Sequence, residues 1–278
     1  MMTLRANPFP STRRDFLARA VLRSLRQMTG LACGLMLFCG FALRAQEAAK
    51  TQAAPPPKPP QTYPVPAAND DAGWEPIFDG KTLSGWEGDP RYWRVENGSL
   101  VGEVTPETLL KNNTFIIWRA GVTKDFELKV EYRISANGNS GINYRSVDVP
   151  GLPFALTGYQ ADIDGPNRHT GQNYEERGRT FNALRGQITH IQTGKKAQII
   201  AAVGDAKELE SHIKKDDWNE YHLIIRGNTL IHIVNGQLMS LVIDDDTEKR
   251  RFAGKLGVQV HVGPPMKVEY RSFRLKEL

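Results

Sequence analysis

The sequence predicts an all-β fold, a jelly-roll sandwich of two antiparallel sheets, on two observations. Short segments alternate apolar and polar residues with a period of two, as half-buried strands do. Turn-forming pairs separate them, among them Asn235-Gly236, a dipeptide that tolerates the positive φ of tight hairpins. Helix signals are scarce from Gly73 onward, and roughly 200 residues fits one all-β domain.

Along that domain the alternation is clearest in FELKVEYRIS, where Phe126, Leu128, Val130, Tyr132 and Ile134 oppose Glu127, Lys129, Glu131 and Arg133. In GINYRS, Ile142 and Tyr144 alternate with Asn143 and Arg145; in GYQADID, Tyr159, Ala161 and Ile163 alternate with Gln160, Asp162 and Asp164. YHLIIRG, TLIHIVNG and KVEYRSFRLKEL read as further short strands, and in GVQVHV the valines 258, 260 and 262 alternate with Gln259 and His261. Three of these strands thus carry one face rich in amides, carboxylates and basic groups. A long polar loop is expected from Gly165 to Arg179, rich in ionisable groups from Arg168 and His169 to Arg179, with Tyr174, Glu176 and Arg177 as ligand contacts closing over that face.

The rest of the chain reads as delivery. Of 278 residues, 40% are hydrophobic and 24% charged, and the formal net charge is +5. The basic excess is concentrated before Leu31, in Arg5, Arg13, Arg14, Arg19, Arg23 and Arg26, so it carries no nucleic-acid signature. Residues 1–45 have the layout of an export signal: a basic start, an apolar stretch from Leu31 to Leu43 and small residues up to Ala45. Ser11-Thr12-Arg13-Arg14-Asp15-Phe16-Leu17 is similar to a twin-arginine motif, and the Tat and Sec routes both remain open. The expected location is periplasmic or secreted, with membrane contact only if this segment is not cleaved. Residues 46–72, rich in Pro, Ala, Gln and Lys, read as an extended linker to a domain at 73–278. Both cysteines, Cys33 and Cys39, precede that domain, which excludes a disulfide framework or a cysteine metal site within it.

The domain resembles the bacterial 3-keto-disaccharide hydrolase family, formerly a domain of unknown function. The blocks that carry the resemblance are IFDGKTLSGW, YWRVENGSLVGE, DFELKVEYRISANGNSGINYRS, GYQADID, YEERGR, DWNEYHLIIRGNTLIHIVNGQ and LGVQVHVGPPMKVEYRSFRLK, in that order across residues 73–278. The resemblance implies a concanavalin- or laminin-G-like jelly roll whose concave face handles sugars, and an activity on glycosides oxidised to a ketone at carbon 3. At Gln160 and Asp162 the chain departs from the glutamate and glutamine of many members.

Such chemistry needs a base for the carbon 2 hydrogen, an electrophile for the enolate oxygen and an acid for the leaving oxygen. His261, Asp162 and Glu176 are the candidate catalytic residues, with Glu175 a further acid or base. Asn143, Arg145, Gln160, Tyr174, Arg177 and Gln259 are the candidate substrate contacts, with Arg145, Arg177 or a divalent metal cation as the electrophile. Whether a metal takes part stays open: Asp162, Asp164 or Glu176 with His261 offer ligands, but no compact ligand spacing appears. Asp244, Asp245 and Asp246 read as a solvated strand end, and His232 as a packed structural histidine. Trp86 and Trp93 are the expected stacking platforms for sugar rings. A non-catalytic carbohydrate-binding module is the alternative function. A retaining glucanase is disfavoured because no E-x-D-x-x-E motif occurs.

Overall fold

A computed structural model describes residues 72–278; the expected export signal and nearly all of the linker lie outside them. Two sheets stack face to face. In the ten-stranded sheet the order is Gln198–Ala202, Gln187–Gln192, Gln237–Asp245, Thr229–Val234, Asn219–Arg226, Phe126–Ile134, Met266–Glu277, Ser99–Val104 and Trp93–Glu96, with Glu75–Pro76 also on Met266–Glu277. The seven-stranded sheet runs Thr180–Ala183, Asn173–Glu176, Leu156–Asp164, Asn139–Asp148, Gly254–Val260, Thr114–Thr123 and Trp86–Glu87. Every pairing is antiparallel except that of Gln187–Gln192 with Gln237–Asp245. The fold is the jelly-roll sandwich the alternation predicts, with one short α-helix, Ala206–Ser211, among the described residues.

The core lies between the sheets and is filled from both. Phe126, Leu128, Val130, Tyr132 and Ile134 meet Ile142, Tyr144, Tyr159, Ala161, Ile163, Val258 and Val260 there. Burying each large side chain contributes roughly 1.5–3 kcal/mol. One polar chain crosses this layer: the Asn173 amide donates to the Tyr144 hydroxyl, which donates to Nε2 of His232, whose Nδ1 faces the Gln172 carbonyl. Burial pushes His232 down to about 3, so it is the neutral packed histidine its apolar neighbours suggest.

The segment expected as one long loop is only partly one. Asp164 ends its strand by accepting the backbone N–H groups of Arg168, His169 and Thr170, which fixes a tight turn. Asn173–Glu176 and Thr180–Ala183 then form a hairpin that extends the sheet. Tyr174, Glu175 and Glu176 therefore obey strand parity, and the two glutamates point to opposite faces. Glu175 turns inward, where Arg179 joins it to Asp244 at 2.6 Å and Asp246 at 3.4 Å. That ionic cluster, which also takes a 2.5 Å hydrogen bond from Tyr159 to Asp244, is structural. It removes Glu175 from the acid and base candidates, and it shows that Asp244 and Asp246 are not a solvated strand end.

Candidate functional site

Strand parity carries Asn143, Gln160, Asp162, Tyr174, Glu176 and Gln259 to the outer face of the seven-stranded sheet, away from the core. Gln160 stands opposite Asn143 on one side and Tyr174 on the other, while Gly158 faces Glu176. A cavity of about 380 Å³ opens there. Gln160, Asp162, Tyr174, Glu176, Arg177 and His261 line it, together with Asn113, Asn139, His169 and Phe181.

Asp162 is the group most altered by this setting. It is 7% exposed, and Gln160 donates to it at 2.7 Å. Burial pushes its carboxyl up from 3.8 to about 8, with the charges of Asp164 and Glu176 adding to the rise and the Gln160 hydrogen bond opposing it. At neutral pH burial therefore favours its protonated form, which has a proton to give and none to take.

Glu176 is held from two sides. Asn113 donates to one carboxylate oxygen at 3.2 Å and Gln259 to the other at 3.3 Å, while Arg177 approaches at 3.7 Å. Arg177 sits at the hairpin tip with φ 55°, a left-handed backbone at the rim of the cavity. His261 follows immediately after the strand Gly254–Val260. Its Nδ1 lies 2.5 Å from the Val262 carbonyl, which can only accept, so Nδ1 carries a hydrogen and Nε2 takes no part in this contact. The neighbouring Val262 N–H donates to Asn113, tying this segment to the amide that holds Glu176.

Two expected contacts lie under the cavity instead of in it. Gln259 is wholly buried, donating to Gln160 at 3.2 Å as well as to Glu176. Asn143 is equally buried beside Gln160, and neither its amide nitrogen nor its oxygen has a partner.

Arg145 corrects the sequence reading. A bulge between Tyr144 and Val147, with Arg145 at φ 44°, breaks the alternation and turns this side chain away from Asn143. Its guanidinium is buried against the carbonyls of Lys124, Gly227 and Arg251 and the carboxylate of Asp125. Arg145 therefore neither lines the cavity nor offers an electrophile there.

The tryptophans correct it too. Trp86 and Trp93 are core residues, so neither presents a face to a ligand. The aromatic surface belongs to Phe181, 42% exposed, which stacks on His169 at 5.6 Å and meets Tyr174 edge-on at 5.2 Å. Asn113, Asn139 and Phe181 are lining residues that the sequence reading did not single out, and His169 lies in the polar loop it expected; the only cue for Phe181 was an aromatic close to that loop.

Gly141 gives Gln160 its room. It pairs with Asp162 across the sheet, and a Cβ there would fall 2.6 Å from Gln160 side-chain carbons. Gly141→Ala should therefore destabilise the domain by about 1–3 kcal/mol, read from urea unfolding. An unchanged midpoint would mean that Gln160 is free to move aside.

No three His, Cys, Asp or Glu side chains among the described residues stand together as a metal-ligand group. The donors of Asp164 and Glu176 are already engaged by N–H groups, so the residues present do not form a ready cation site.

A family profile described as the 3-keto-alpha-glucoside-1,2-lyase-like domain matches residues 73–276. The chain belongs to this family. A curated relative of this 3-keto-glucoside lyase-like domain, named 3-keto-disaccharide hydrolase, from Bacteroides thetaiotaomicron, is 31% identical over 134 residues. That match covers 43% of this chain and 46% of the relative, so the chain spans under half of the relative's length. Among solved structures, a candidate glycosyl hydrolase from Parabacteroides distasonis is 21% identical over 74% of this chain and 94% of its own, with a TM-score of 0.49. A carbohydrate-binding module from Bacillus subtilis is 14% identical over 74% and 96%, with a TM-score of 0.44.

Proposed function

We propose that the chain is an exported enzyme that cleaves glycosides carrying a ketone at carbon 3, by elimination followed by hydration. The observation that carries this reading is a buried carboxyl, Asp162, sharing one cavity with the imidazole of His261, whose Nδ1 is engaged by the Val262 carbonyl. Acid and base chemistry at neutral pH requires such a pair. Membership of the 3-keto-alpha-glucoside-1,2-lyase-like family supports the choice of substrate class.

In the proposed reaction Nε2 of His261 takes the carbon 2 proton, and the electron pair moves onto the carbon 3 oxygen beside Arg177. The ketone then re-forms, carbons 1 and 2 become double-bonded, and the bond from carbon 1 to the glycosidic oxygen breaks. Asp162 gives its proton to that oxygen. Water completes a net hydrolysis: its hydroxyl adds to carbon 1, its proton restores Asp162, and His261 returns the proton to carbon 2. Phe181 and Tyr174 offer a stacking surface for the sugar face.

The deciding experiment incubates residues 73–278 and the full chain with a 3-keto-glucoside and its unoxidised parent, each with and without chelator. Only the ketone should be cleaved, because only it acidifies the carbon 2 hydrogen, and deuterium at carbon 2 should slow cleavage or wash out. Equal cleavage of the parent would return the site to ordinary glycosidase chemistry. Binding of both sugars without turnover would favour the carbohydrate-binding alternative, which the exposed aromatic group also suits.

Export is part of the same proposal, since residues 1–45 have the layout of a signal. Fractionation of expressing cells should find the domain outside the cytoplasm, and retention there would refute it. No described helix is long and apolar enough to cross a membrane.

A further inference from the structure

The larger cavity near the hairpin is not the candidate active site. It measures about 520 Å³, and Thr180–Ala183, the edge strand of its sheet, separates the two. Phe181 pairs with Tyr174, which lines the first cavity, Thr180 and Asn182 line the second, and Phe181 borders both.

Charge in the second cavity is one-sided. Lys195, Lys196 and Lys249 line it, and none of them has an ion-pair partner among the described residues. The acidic group there, Asp246, is already engaged by Arg179 and by the backbone N–H groups of Glu248 and Lys249. Asn182, 2% exposed, lines the same space and donates its amide nitrogen to Asn173. Thr180 adds a hydroxyl, held there at φ 68°, a strained conformation for a β-branched residue.

We propose that this cavity is a second binding site, for an acidic saccharide. Three uncompensated ammonium groups select a carboxylate, Thr180 offers its hydroxyl to a ring hydroxyl, and Phe181 supplies the apolar contact that sugar rings use. The choice of a sugar as the carrier of the charge rests on the saccharide reading of the neighbouring site. The cavity itself needs no ketone and takes no part in the proton transfers.

Calorimetric titration of the protein with cellobiouronic acid, cellobiose and inorganic phosphate tests this without turnover. Cellobiouronic acid should bind, more weakly as salt rises, and clearly better than the other two. The triple variant Lys195→Ala/Lys196→Ala/Lys249→Ala should lose about tenfold in that affinity. These side chains are exposed and unpaired, so the variant should fold, and its turnover of a neutral 3-keto-glucoside should be unchanged. Binding of cellobiose as tight as the acid, phosphate binding as tight as the acid, or no binding of the acid would each overturn the proposal. Loss of neutral-substrate turnover in the triple variant would also overturn it, by making the cavity part of the active site. Failure of the wild type to cleave any 3-keto-glucoside would count against the proposed reaction alone.

Discussion

Asp162→Asn should lower turnover of a 3-keto-glycoside by roughly two to four orders of magnitude at neutral pH, and His261→Ala by a similar factor, the usual contribution of a positioned acid or base. The pH profile separates the two roles. Cleavage that depends on a protonated Asp162 should fall as pH rises through about 8, and that alkaline limb should vanish in Asp162→Asn. Stability should also fall as pH rises toward that value. The folded carboxyl titrates near 8 and the unfolded one near 3.8, so the protonated form stabilises the fold fully below 3.8 and progressively less up to 8. Asp162→Asn, neutral throughout, should therefore melt higher than the wild type at pH 9 and differ little at pH 4. Wild-type rates in both variants would remove Asp162 and His261 from the chemistry, and equal melting at pH 9 would mean that the Asp162 carboxyl is not raised.

Arg145→Met should destabilise the domain by about 3–5 kcal/mol, because it strips a buried cation from three carbonyls and a carboxylate. Thermal unfolding should show it as a fall in Tm on the order of 10 °C. Folded Arg145→Met protein at low temperature should keep its KM. An unchanged Tm with a raised KM would restore Arg145 to the substrate.

Arg145 also shows where the sequence stops being legible. Period-two alternation located the strands and placed Gln160 and Asp162 on a common face, since parity is a local property of the backbone. The bulge after Tyr144 is invisible to that logic, because one inserted residue reverses every assignment beyond it. Burial was equally hidden: Trp86 and Trp93 flank polar turns, yet partners far along the chain enclose them. Asn113, His169 and Phe181 come from three separate segments and meet only in the folded chain. The ordinary aspartate in GYQADID gave no hint of its protonation, which arises from neighbours and desolvation that no single strand encodes.

The strand Met266–Glu277 lies between Phe126–Ile134 and Ser99–Val104 and also carries Glu75–Pro76. Until it is in place, these earlier segments have no common neighbour and expose apolar edges. Folding must close loops of more than a hundred residues at this step, which places the domain among slowly folding, high-contact-order chains. A nascent chain of this protein remains unfinished until its last strand has left the ribosome. It depends over that interval on whatever holds unfolded chains soluble, and premature termination before Met266 should produce aggregate instead of a smaller working domain.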